Sequence, residues 1–93
     1  MKIEFDPGKS AKNARDRGLP FDRVAEFEWE TAAYEQDLRF PYPEARFVAV
    51  GCIGLRLHVV CFTPVAGGIR VISFRKANAR EVRRYEEEKA IDR

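Results

Sequence analysis

The segment Arg56-Leu57-His58-Val59-Val60-Cys61-Phe62 sorts its side chains onto two surfaces if it is a strand, because successive strand residues point to opposite faces. Leu57, Val59 and Cys61 share an apolar face, while Arg56 and His58 share the other with Val60 and Phe62. A permanent cation and the chain's single histidine therefore sit together at one strand end. Such a pair could hold an anion and pass a proton near neutral pH, whereas a strand histidine tied into a packed sheet is the structural alternative. A second group, Arg70-Val71-Ile72-Ser73-Phe74-Arg75-Lys76-Ala77-Asn78, puts paired bases where the last strand passes into the last helix. Arginine can grip a phosphate through two N–H donors, which suits a phosphodiester gaining charge in its transition state; a salt-bridged strand end is the alternative. On the following helix Arg80 and Arg84 lie four apart and repel each other unless a carboxylate or a bound anion intervenes, and Arg84–Glu88 and Arg83–Glu87 pairs are the favoured reading.

No phosphate-binding glycine loop, serine or cysteine triad, or metal-ligand spacing is present in the sequence, and no cofactor is expected. Cys52 and Cys61 fall inside apolar runs and read as buried free thiols. Bases, one histidine, tyrosines and carboxylates remain. That inventory permits metal-free RNA cleavage, since the RNA supplies its own 2′-hydroxyl nucleophile and the protein must only align it, stabilise charge and move protons.

These residues need elements to hold them. Ile3 to Phe5 could make one strand, and Asp6-Pro7 then starts a helix to about Arg17 that stops at Gly18, with Ala11 and Ala14 as its apolar stripe. Pro20 predicts a second helix with Phe21, Val24, Ala25 and Phe27 inward, ending near Trp29. Glu30 to Pro43 reads as a long connection with room for a short edge strand, because Pro41 and Pro43 hold their predecessors extended. Arg46 to Phe74, interrupted at Gly51, Gly54, Pro64 and Gly67-Gly68, predicts three strands joined by hairpins. A final helix from Ala77 to about Lys89 has Asn78 as cap and Glu81 three residues on, with Val82, Tyr85 and Ile91 inward. The expected class is α+β: an antiparallel sheet with two N-terminal helices and one C-terminal helix, as one domain over residues 1–93.

With 93 residues, 45% hydrophobic and 34% charged, the composition suits a small soluble domain rather than a disordered tail. No apolar run reaches the ~20 residues of a membrane span, and Met1-Lys2-Ile3-Glu4-Phe5-Asp6 lacks the apolar stretch of a signal peptide, so a cytoplasmic location is expected. The net charge of +2 matters less than its distribution. Basic residues concentrate between Lys9 and Arg23 and between Arg70 and Arg84, whereas Glu26, Glu28, Glu30, Glu35 and Asp37 lie between them without a base. A polyanion would meet the basic segments, with the acidic stretch held away from Arg70, Arg75 and Lys76.

The blocks Arg56 to Pro64 and Ile69 to Tyr85 closely resemble the BrnT toxin family. Phe5-Asp6-Pro7, the Asn13 helix ending at Gly18, and Phe21 match in order and spacing, so the likeness covers nearly the whole chain. The resemblance implies a RelE-like fold and an endoribonuclease that halts translation. It also implies neutralisation by a BrnA-type antitoxin with a ribbon-helix-helix domain, which would be the chain's only route to DNA. Family positions carry over to Arg56, Arg70, Arg75 and Lys76. Many relatives have Lys-His-Gly where this chain has Asp16-Arg17-Gly18, which leaves His58 as the proton carrier, with Lys76 or Tyr85 as alternatives. The expected catalytic set is Arg56, His58, Arg75 and Lys76, and the expected RNA-binding set is Lys12, Arg70, Arg80 and Arg84. The competing reading is an inactive toxin-like protein that binds its antitoxin as a co-repressor.

Overall fold

The computed structural model describes residues 1–91. Its elements are β1 (Lys2–Glu4), α1 (Pro7–Arg17), two short 3₁₀ turns (Phe21–Glu26 and Trp29–Thr31), β2 (Ala33–Gln36), β3 (Phe47–Ile53), β4 (Arg56–Val65), β5 (Gly68–Lys76) and α2 (Ala79–Ile91). The class is α+β, and the three hairpin strands and the edge strand in the long connection are present. No helix of the described residues is long and apolar enough to cross a membrane.

α1 begins where the sequence places it: the Asp6 carboxylate accepts the Gly8 amide at 2.7 Å, and Pro7 needs no amide partner. It ends at Gly18, whose φ of 70° is strained for any residue with a Cβ. The inward residue of α1 is Ser10, whose hydroxyl accepts the Phe21 amide at 2.8 Å, while Ala11 is exposed.

The expected second helix is a 3₁₀ turn. Phe21, Val24 and Phe27 recur at steps of three, the period of the tighter helix, and all three are buried. Ala25, which an α-helix would turn inward, is exposed. The segment is only six residues long, without a side-chain cap and with extended backbone at Pro20 and Phe27, so it is too short to sustain α-helical bonding.

The sheet runs β1-β5-β4-β3-β2 and is mixed rather than antiparallel. β3, β4 and β5 are antiparallel neighbours, but β1 lies parallel to β5 with Ile3 opposite Ile69. No hairpin joins β1 to β5, so their relative direction is free; β1 seats Ile3 against the core and delivers the chain into α1. One face of the sheet carries the main core, where Val60, Phe62, Val71 and Phe74 meet Leu19, Phe21, Val24 and Phe27. The other buries Leu57, Val59 and Ala77 beneath Val82 and Tyr85 of α2.

α2 opens on a reciprocal cap: Asn78 Oδ1 accepts the Glu81 amide at 2.8 Å and Glu81 Oε1 accepts the Asn78 amide at 2.9 Å. The helix buries no residue fully, and Ile91, expected inward, is 82% exposed because the apolar surface it would need ends at Tyr85. Tyr85 ties the helix to the far side of the sheet by donating to the Thr31 carbonyl at 3.0 Å.

Candidate active site at the end of the central strands

Arg56, His58 and Lys76 converge where β4 begins and β5 ends. His58 is paired across the ladder with Lys76 on one side and with Gly51 on the other, so the three residues form a row on the main-core face. Gly51 contributes no side chain, and the Phe27 ring lies 2.7 Å from where its Cβ would stand. Only His58 and Lys76 therefore project from that row. Arg56 reaches across the strand end, its Nη2 donating to the Ala77 carbonyl at 3.2 Å. Arg56 and Lys76 are exposed, whereas His58 is only 3% exposed, with its ring 5.6 Å from that of Phe74.

The histidine's proton arrangement follows from its partner. Nδ1 lies 2.8 Å from the Arg56 carbonyl, which can only accept, so Nδ1 carries the hydrogen and the neutral ring keeps its lone pair on Nε2. Among the described residues Nε2 has no hydrogen-bond partner. Burial pushes the His58 pKa below the ordinary 6.5; the bond to the Arg56 carbonyl opposes this, and the charges of Arg23, Arg56 and Lys76 add to the lowering. The ring is thus neutral at physiological pH, with a free acceptor nitrogen among three cations.

Arg75 points the other way. It is opposite Val59 on the α2 face, and its guanidinium meets Glu81 through two hydrogen bonds of 2.7 and 2.8 Å. That pair holds the Glu81 carboxyl down to about 2. Among the described residues no group of three His, Cys, Asp or Glu could hold a metal ion.

A family model for the ribonuclease toxin BrnT of type II toxin-antitoxin systems matches residues 5–81. The chain belongs to the BrnT family. Neither a curated protein nor a solved structure matches it. The BrnT match runs from the residue before the α1 cap to the first turn of α2, and so spans the whole strand end. As a type II toxin family, BrnT brings with it an RNA target and an antitoxin partner.

Elsewhere in this BrnT chain the remaining expected site residues are dispersed. Arg70 lies six residues before Lys76 on β5, ~20 Å away along the strand, and pairs with Glu4 at 3.3 Å. Arg84 is engaged by Glu88 at 3.2 Å and Glu35 at 3.8 Å, and Lys12 by Asp16 at 2.5 Å. Arg80, next to the strand end on α2, meets no carboxylate among the described residues. The acidic stretch pairs with Arg23, Arg84 and Arg39 and not with Arg70, Arg75 or Lys76.

Sequence reasoning left two features unassigned. Arg23 contributes to the field at His58, and the signal that fixes it is the three-residue spacing of Phe21, Val24 and Phe27 around it. The connection between β2 and β3 is also structured. The buried Asp37 carboxylate accepts from Arg39 at 2.9 Å and from Tyr42, which hold it at about 2, and the Arg46 guanidinium lies 4.0 Å over the Tyr42 ring.

Proposed function

We propose that this BrnT chain is a metal-independent endoribonuclease with a RelE-like fold. It would halt translation by cleaving RNA at the strand end and be neutralised by a BrnA-type ribbon-helix-helix antitoxin. The observation that carries this reading is the row of His58 and Lys76 with Arg56 beside it: a neutral imidazole with a free Nε2, flanked by two exposed cations. The RNA's 2′-hydroxyl attacks the adjacent phosphorus and loses its proton to His58 Nε2. The bond to the 5′-oxygen breaks, and Lys76 supplies that oxygen with a proton, leaving a 2′,3′-cyclic phosphate. Arg56 holds the phosphate oxygens as their charge grows, a contribution typically worth about a hundredfold in rate. Because the histidine is 3% exposed, the proton passes from the hydroxyl to Nε2 through a bridging water. Arg75 acts here indirectly, by fixing α2 at the margin of the site.

The same burial of His58 favours the second reading, an inactive co-repressor. Incubating antitoxin-free protein with end-labelled RNA in chelator separates the two. Fragments ending in 2′,3′-cyclic phosphate, and no cleavage where the 2′-hydroxyl is replaced by hydrogen, are the expected result. Intact RNA with folded protein would establish the binder instead.

A further inference from the structure

The cations of the chain divide by whether a carboxylate already occupies them. Arg23, Arg39, Arg70, Arg75 and Arg84 are paired internally, whereas among the described residues Lys9 and Arg17 on α1 meet no carboxylate, like Arg56 and Lys76 at the strand end. α1 runs along the margin of β5 left open where β1 ends, and it is pinned there by Asn13, whose Nδ2 donates to the Phe74 carbonyl at 2.9 Å and to the Leu19 carbonyl at 2.7 Å. Between α1 and β5 lies a groove of about 400 Å³, lined by Lys9, Lys12, Asp16 and Arg17 on the helix and by Ile72 and Ser73 on the strand. Lys12 and Asp16 neutralise each other, so the charge the groove offers is that of Lys9 and Arg17. The two are eight residues apart, ~12 Å along the helix, and Ser73 stands ~10 Å before Lys76 along β5.

We propose that this groove carries the single-stranded RNA flanking the cleaved bond, with Lys9 and Arg17 taking backbone phosphates and leading the strand to Lys76. The assignment rests on the ribonuclease reading above and adds its substrate track. The lining favours RNA over a protein partner, because spaced point charges with only Ile72 and part of Phe21 as apolar floor suit a phosphate backbone, while protein interfaces centre on a desolvated apolar core.

The test uses a fluorescent RNA of about a dozen mixed nucleotides, 2′-O-methylated throughout so that attack by a 2′-hydroxyl is blocked. Its binding to the antitoxin-free chain is measured by anisotropy over roughly 50 to 200 mM salt. The variants are Lys9→Gln/Arg17→Gln and, as a charge control on the exposed face of α2, Arg83→Gln, each with its melting temperature. Loss of two phosphate contacts should flatten the slope of log affinity against log salt by about 1.4, at ~0.7 per contact on a single strand, with unchanged melting. Arg83→Gln should leave the slope as it is. An unchanged slope in the double variant overturns the proposal. So does weakened binding of a poly-glutamate peptide with RNA binding intact, which would give the groove to an acidic protein segment. Since this RNA cannot be cut through its 2′-hydroxyls, failure of natural RNA to be cleaved would count against the ribonuclease reading alone.

Discussion

Arg75 and Glu81 meet in a two-pronged ion pair with the side chains 36% and 25% exposed, so water screens it only in part. Glu81 also caps α2 by accepting the Asn78 amide, which makes one carboxylate the joint between strand end and helix. Its carboxyl is held at about 2 against an ordinary 4.5, mainly by the hydrogen bond from Arg75. A depressed carboxyl stabilises the fold fully above its unfolded value, so this contribution is present above pH 4.5 and lost as pH falls from there toward 2. Arg75→Ala should therefore lower stability by about 1–2 kcal/mol at pH 7, discounted for exposure, and by much less near pH 2. Denaturant titrations at the two pH values check this, and an equal loss at both would deny the pair its role. The cap itself was readable, since Asn78 and Glu81 stand at the required spacing. The partner of Arg75 was not, because Arg75 and Lys76 look alike in sequence until the alternation of β5 sends them to opposite faces.

At the scale of elements, local chemistry was readable and long-range pairing was not. The Asp6 cap, the Gly18 stop and the alternation of β4 each depend on neighbours within a few residues, and each forms as expected. The 3₁₀ turn reads as an α-helix in the sequence because Phe21, Val24 and Phe27 satisfy either period loosely, and only the exposed Ala25 separates the two. The direction of β1 could not be read, since no turn constrains it against β5. Asn13 shows what binds these elements: its side chain satisfies two carbonyls, Leu19 after the helix and Phe74 on the open margin of β5. Asn13→Ala should cost about 1–3 kcal/mol by leaving both without their donor, and should speed amide exchange through α1 more than through β3 or β4. Unchanged melting would mean that α1 is held by its apolar contacts alone.

Across the whole molecule, charge is less segregated than along the sequence, since Glu26 and Glu35 of the acidic stretch pair with Arg23 and Arg84 of the two basic segments, and fewer cations are free than a count suggests. Several bases of the two basic segments are consumed by internal pairs, and those that meet no carboxylate among the described residues include Lys9 and Arg17 on α1 and Lys76 at the strand end. The candidate site was therefore readable in part: Arg56, His58 and Lys76 come together because β4 and β5 are neighbours, while Arg70 and Arg75 are drawn off by carboxylates from β1 and α2. The central claim, that RNA is cleaved at this strand end, is tested most directly by single-turnover cleavage with Lys76→Ala, using Arg83→Ala as the charge control and recording melting for both. Lys76→Ala is expected to lose about a hundredfold in rate with its melting unchanged, and Arg83→Ala to cleave like its parent. Full activity in Lys76→Ala, or an equal loss in Arg83→Ala, would contradict it.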